Sequence, residues 1–475
     1  MVLFSTQARR WQSRAAFVSL TTVLFLGGCS LSPDLTLPSV QTPQSSQEAL
    51  QVDRAWWKRF NDETLNALVE EALSNSDDLK LQALKVLKAR QTYAYAISAQ
   101  FPTLNANAST SRQRTSDETY QHNRAKYTDN SFGATLSYEI DFWGKLASQS
   151  EAGWSAYLAS AAAKETVRNT LINDVITAYF NLASLQARIE VLEQTALAYQ
   201  AAYEFRAKQQ KVGAISDVLA HQTLAQFNNV KAAQEALAQS YSLQQSALSI
   251  LLGRSPKELF AAASLHATLP NALSIPQGIP SSLMENRPDI KEALETLKSK
   301  NALIGVEKAA YFPTISLTGS FGQQSADLNN ILQSSANKWS FGPSLSVPIF
   351  DFGRIKQRVN LSETELQSAL VSYEQTVKKA YKEVYDALAK QKAIQNQRAF
   401  QEEELKAYKN VLILSQKRFD QGVANQLEVI DARKNVLSAS LTLLNTKQAL
   451  LTAQAELFKA LGGGWNAQEL LALNP

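Results

Sequence analysis

The stretch "WSFGPSLSVPIFDFG" (339–353) alternates residue by residue. Trp339, Phe341, Pro343, Leu345, Val347 and Ile349 hold the odd positions; Ser340, Gly342, Ser344, Ser346 and Pro348 hold the even ones. A period of two describes a strand with one apolar face and one wet face. Three more segments share the pattern. Leu104, Ala106 and Ala108 alternate with Asn105, Asn107 and Ser109. Phe132, Ala134, Leu136, Tyr138, Ile140 and Phe142 alternate with Ser131, Thr135, Ser137, Glu139 and Asp141, and Ile315, Leu317 and Phe321 with Thr314, Ser316, Thr318 and Ser320. One such strand suits an ordinary half-buried sheet. Four of them suit a barrel that meets lipid outside and water inside. Membrane barrels start at about eight strands, so four cannot close one. An open edge in hydrocarbon would leave peptide groups unpaired at several kcal/mol each. Several copies are therefore expected to share one barrel.

The N-terminus points to export. Arg9, Arg10 and Arg14 precede the apolar run "AAFVSLTTVLFL" and then "LGGCS". The run is too short for an anchor and is followed by small residues, as in a signal peptide. Cys29 is the only cysteine, so no internal disulfide can form. Leu26-Gly27-Gly28-Cys29 resembles a bacterial lipobox, in which the cysteine is acylated and becomes the mature N-terminus; a plain signal peptide with a bystander thiol is the alternative. Ser30 after the cysteine resembles lipoproteins sorted to the outer membrane. No later apolar run is long enough to span a bilayer as a helix. The expected order is a signal peptide over 1–28, then a lipid-anchored linker over 29–60.

The remainder repeats at a spacing of about 210 residues. "QFPTLNANAST" (100–110) matches "YFPTISLTGSF" (311–321), and "SFGATLSYEIDFWGK" (131–145) matches "SFGPSLSVPIFDFGR" (340–354), setting Asp141 against Asp351. "QQKVGAISDV" (209–218) matches "RFDQGVANQL" (418–427). Matches in one order at one offset read as a duplicated unit. The first repeat covers 61–260, with strands at about 102–112 and 131–142 and a helical hairpin tip near 213. A linker covers 261–280. The second repeat covers 281–465, with strands at about 313–323 and 339–350 and a tip near 422, and a tail covers 466–475. The fold class expected is mainly α with a small β part: a long coiled-coil-like helical barrel plus four strands per chain in a shared membrane barrel.

The helices carry heptad seams. One runs Leu171, Val175, Ala178, Leu182, Leu185, Ile189, Leu192, Ala196, Tyr199 and Tyr203, in alternating steps of four and three. The stretch from about 144 to 210 lacks proline and could extend roughly 100 Å. At the tips, Gly213 and Gly422 fit the positive-φ residue that ends one helix, and Ser216 and Asn425 fit the cap of the next. In a symmetric ring Asp431 would converge on its own copies, which selects ions and favours opening unless cations compensate. Arg418 and Lys434 are candidate partners; an exposed surface ion pair is an equal reading, and such pairs are worth little.

Charge and motifs exclude other classes. The chain carries +4, and removing the three leader arginines leaves about +1; nucleic acid would call for a concentrated basic face. His122, His221 and His266 lack metal-ligand spacing, and the Gly-Lys pair of "FWGKLAS" lacks the rest of a phosphate loop. Neither an enzyme nor a bound cofactor is expected, beyond covalent lipid on Cys29.

"LGGCS", "AWWKRFNDETLNALVEEAL", "LSYEIDFWGK", "LMENRPDIKEAL", "AAYFPTISLTGSFG" and "RFDQGVANQLEVIDAR" together resemble the bacterial outer-membrane efflux proteins of the TolC type, specifically their lipoprotein branch. The resemblance covers nearly the whole mature chain. It implies a homotrimer with a twelve-stranded outer-membrane barrel and a helical tunnel through the periplasm. It also implies a periplasmic adaptor and an inner-membrane resistance-nodulation-division pump as partners. The cargo would be drugs, dyes and detergents moved through a passive conduit. The implied periplasmic gate comprises Arg418, Phe419, Leu427, Asp431 and Lys434, with Leu427 as apolar plug and Asp431 as charged ring. Phe419 stands where Tyr is frequent, which removes a hydroxyl; Lys434 stands where Arg can occur, which removes a bidentate donor. Two alternatives remain open here: a conduit for protein secretion, and a lipid-anchored periplasmic coiled-coil scaffold.

Overall fold

The computed structural model describes residues 31–37, 52–114, 126–255, 257–258, 267–275 and 287–471. Cys29 and the segment 1–28, expected from sequence to be a signal peptide, lie outside them. The duplication is visible element by element. Helix α1 (Glu63–Asn75) and α2 (Asp77–Ser98) lead into β1 (Thr103–Arg114) and β2 (Lys126–Ile140), then α3 (Lys145–Lys211) and α4 (Asp217–Leu251). The second half gives α5 (Pro288–Ala309), β3 (Thr314–Ser325), β4 (Asn337–Ser346), α6 (Arg354–Asp420) and α7 (Gln426–Ala460). Helices α3 and α6 are both 67 residues long, and α4 and α7 are both 35.

The compact units do not coincide with the repeats. One unit takes 86–160 and 293–373 along with the N-terminal segment; the other takes 40–85, 161–292 and 374–475. Each repeat gives strands to the first unit and hairpin helices to the second. The 61–260 and 281–465 repeats are therefore units of sequence, each divided between two packed bodies.

In the first unit the strands form one antiparallel sheet in the order β1-β2-β3-β4, and the β2–β3 pairing joins the two repeats. Every strand's limits shift from the sequence reading, most of all at the start of β2 and the end of β4. Strand β2 starts at Lys126 rather than 131, because its outer part pairs with β1 as far as Arg114. It ends at Ile140 rather than 142, where the chain turns at Gly144 into α3. Strand β4 ends at Ser346 rather than 350: Pro348 has no N–H to give a ladder. The end of the opening stretch thus leaves the sheet, with Ile349 95% exposed. Register puts Leu136, Phe132, Phe321, Trp339 and Phe341 on one face, largely exposed. The other face carries hydroxyl pairs: Ser109–Ser131 at 2.8 Å, Ser316–Ser344 at 2.6 Å and Ser320–Ser340 at 2.7 Å. At the helix-bearing ends Asp141 accepts from Ala147 N, and Asp351 accepts from Gly353 N and Ile355 N, so the matched aspartates open α3 and α6.

In the second unit the core lies where "WWKRF" meets the long helices. Residues 56–60, placed in the linker by the sequence reading, form a buried 3-10 turn. Trp56 stacks on Phe458 with centroids 4.9 Å apart, and Phe60 packs edge-on against Phe180 at 5.1 Å. Three large aromatic rings are too much apolar area to leave in a solvated tether. Asp62 caps α1 through Leu65 N and accepts from Tyr179 Oη at 2.6 Å. That contact, with burial as the larger cause, raises the Tyr179 pKa well above its usual range. Arg287 is buried and bonds Asp289, Glu383 and the carbonyl of Ala460. Burial opposes its charge, but the two carboxylates outweigh it and raise its pKa. The described part of the 261–280 linker is pinned as well: Gln454 bonds both the N–H and the carbonyl of Leu273. The tail at 466–475 is tied down at its start, with Gln468–Leu471 helical and Leu470 buried.

Candidate functional site

Both hairpin tips close with the same backbone device. At the first, Gly213 N donates to Gln210 O and Ala214 N to Gln209 O, each at 2.9 Å. At the second, Gly422 N donates to Phe419 O and Val423 N to Arg418 O, again at 2.9 Å. These are paired C-cap bonds around a left-handed residue, with φ of 71° at Gly213 and 73° at Gly422. A Cβ at either glycine would meet nothing within 4 Å, so backbone conformation alone requires glycine. The next helices are capped by Ser216, which accepts from Val218 N, and by Asn425, which accepts from Glu428 N.

Above the second tip the five residues named from sequence part company. Arg418 lies 3.6 Å from Glu428, not against Asp431. Glu428 also accepts from Ser415 Oγ at 3.2 Å. Its carboxylate sits three residues past the cap, one turn nearer Arg418 than Asp431 is. Asn-x-x-Glu is the pattern of a capping box, a signal that could have singled out Glu428. Leu427 is 51% exposed, pointing away from the buried row of Gln426, Val429 and Ile430. Asp431 and Lys434 are exposed and form no ion pair with any described residue.

Phe419 has a partner that sequence reasoning missed. The Arg206 guanidinium lies over its ring, 5.0 Å from the centroid, and donates to Gln209 Oε1 at 2.7 Å. Arg206 is only 8% exposed, and that burial lowers its pKa. Its signal was present: it follows Tyr199 and Tyr203 by the next step of the heptad seam, which placed it inside. Between the tips a cavity of about 210 Å³ is lined by Tyr199, Arg206, Phe419, Ile430 and Arg433, among others. Burial raises the Tyr199 pKa; nearby Arg433 opposes the shift and Asp431 adds to it. Gln426 reaches Thr223 Oγ1 at 3.3 Å, tying α7 to α4. Among the described residues no group of His, Cys, Asp or Glu could hold a metal ion.

The family model for outer membrane efflux proteins matches residues 68–254 and 279–463, one match per repeat. The chain belongs to the outer membrane efflux protein family. Curated members include the solvent efflux pump outer membrane protein SrpC of Pseudomonas putida, 33% identical over 94% of this chain and 98% of SrpC. The cation efflux system protein CusC of Escherichia coli strain K12 is 33% identical over 93% of this chain and 97% of CusC. Among solved structures, the Campylobacter jejuni CmeC outer membrane channel superposes with a TM-score of 0.87 at 28% identity, covering 92% of this chain and 96% of CmeC. A CusC structure gives 0.83 at 31% identity, over 92% and 100%. As a member of this family the chain is the outer membrane channel component of an efflux system, located in the outer membrane and extending into the periplasm.

Proposed function

We propose that three copies of this chain build one passive duct. It receives small molecules from a periplasmic adaptor and an inner-membrane resistance-nodulation-division pump and releases them outside. The observation that carries this is the open sheet, whose outward face is apolar and exposed and whose β1 and β4 edges lack partners within the sheet. Copies pairing β4 to β1 would satisfy both edges, and three copies would give twelve strands. The purified protein should migrate as a heat-modifiable trimer in detergent; a stable monomer in micelles would sink the shared barrel. The cargo reading draws on SrpC, named for solvents; CusC is named for cations. A strain lacking the chain should become sensitive to solvents and detergents, and re-expression should restore resistance. Sensitivity confined to metal cations would overturn that cargo class.

The lipid anchor belongs to the same reading. The segment just after Cys29 lies against α5, where Asn301 Nδ2 donates to the Pro33 carbonyl at 2.8 Å. Helix α5 feeds β3, so an acyl chain on Cys29 would start from the strand-bearing unit. Mass spectrometry of the mature N-terminus checks the modification, and an unmodified Cys29 would remove it.

The gate belongs here as well. Leu427 and Asp431 project from α7, exposed within one chain, and a threefold ring would bring their copies together. Asp431→Ala combined with Lys434→Ala should raise single-channel conductance in planar bilayers. Unchanged conductance would take these residues out of the gate.

A further inference from the structure

The four strands distribute charge unevenly between their two faces. On the face that bears Leu104, Phe132, Leu136, Phe321 and Trp339, register leaves three charged residues: Arg112, Arg114 and Lys126. All are basic and all are exposed. The opposite face carries both signs, with Asp129, Glu139 and Lys338. The three basic residues also share one end. Arg114 stands opposite Lys126 and Arg112 opposite Thr128, at the end remote from the helices that join at Thr103 and Ile140.

The face is graded along the strands. Its apolar band ends at Phe132, and a neutral polar level follows, where Thr110 Oγ1 donates to Asn130 Oδ1 at 2.7 Å and Asn130 Nδ2 donates to Ser325 O at 3.2 Å. The basic level lies beyond. Thr128 is four residues past Phe132, on the order of 13 Å along a strand and less along the normal of a tilted one. In a membrane barrel the apolar band faces acyl chains, so a level beyond its end would face headgroups. Guanidinium groups favour phosphate because their donors match its oxygens in pairs.

We propose that Arg112 and Lys126 seat the phosphate groups of the phosphorylated glycolipid in the outer leaflet. The inference rests on the reading of the sheet as part of a membrane barrel. Each copy would then hold its outer rim at a fixed depth through lipid contacts as well as through apolar area.

The test uses full-length protein in neutral detergent and native mass spectrometry. The probes are bis-phosphorylated lipid A and its dephosphorylated counterpart. Wild-type protein should retain the phosphorylated lipid at least tenfold better than the dephosphorylated one. Arg112→Gln with Lys126→Gln should lose about tenfold of that binding, while Arg112→Lys with Lys126→Arg, which keeps both charges, should stay within about threefold of wild type. Equal binding of both lipids, equal binding by wild type and the Gln variant, or loss in the charge-keeping variant would each overturn the inference. Planar-bilayer conductance separates the two failures. Channels from both proteins without lipid preference would overturn this inference and leave the barrel standing; no channels from either would overturn the barrel and this inference with it.

Discussion

The two hairpin tips share a backbone and differ in what their side chains do with it. Gly213 and Gly422 hold the same φ and the same paired bonds. Seven residues before each glycine stands a buried side chain, Arg206 in the first hairpin and Ser415 in the second. Arg206 reaches across to the other hairpin, over Phe419. Ser415 stays within its own hairpin and donates to Glu428, which also faces Arg418. Duplication fixed the turn in both copies, and divergence then gave one tip a cation that grips its neighbour and the other a local polar knot. Of these two arrangements only the first reaches across to the other hairpin, where it adds to the Gln426–Thr223 bond, so the tips are expected to loosen unequally.

The largest effect tests what the tips have in common. Gly213→Val and Gly422→Val each force a β-branched residue into the left-handed region, at a cost of about 2 kcal/mol or more. Hydrogen exchange should rise by similar factors at either tip; a silent Gly422→Val would break the equivalence. Next comes the difference. Arg206→Met keeps bulk but removes the cation over Phe419, a loss of about 1–2 kcal/mol for a desolvated pair. Protection should fall in both hairpins at once, whereas Ser415→Ala should affect the second alone. If Arg206→Met leaves α6 protection unchanged, the coupling through Arg206 is absent. Smaller again are the caps. Ser216→Ala and Asn425→Ala should each cost about 1 kcal/mol, read as fraying of the first turn of α4 and of α7 respectively. The smallest is Arg418→Ala. Its pair with Glu428 is largely solvated, so less than about 1 kcal/mol is expected, and added salt should shrink it further. A large effect from Arg418→Ala would mean the second tip is held more tightly than its exposure allows.

Much of this architecture is legible in the amino-acid sequence. Strand alternation, the offset of about 210 residues and the tip glycines each follow from a local rule, and each segment obeys its rule without help from the rest. Phe132, Ser131 and their neighbours take the faces that their parity dictates. What escapes depends on contacts distant in sequence. Trp56, Trp57 and Phe60 look like part of a tether until Phe180 and Phe458 are placed around them. Arg206 looks like a surface cation in a charged stretch, although the heptad count carries it inward. Arg418 suggests Asp431 as its partner because both carry charge near the turn, yet the cap at Asn425 puts Glu428 closer. The early end of β4 is also readable, since Pro348 cannot extend a ladder, but the apolar alternation past it masks the break.

Strand β2 hydrogen-bonds to β3, and Ile140 precedes Thr314 by about 170 residues. During translocation the N-terminal half arrives first, so β1 and β2 wait with an open edge until most of the polypeptide has emerged. Biogenesis therefore needs a holding step in which that edge is shielded from proteases and from wrong pairing. A truncation anywhere before β3 strands the early half at its most vulnerable stage.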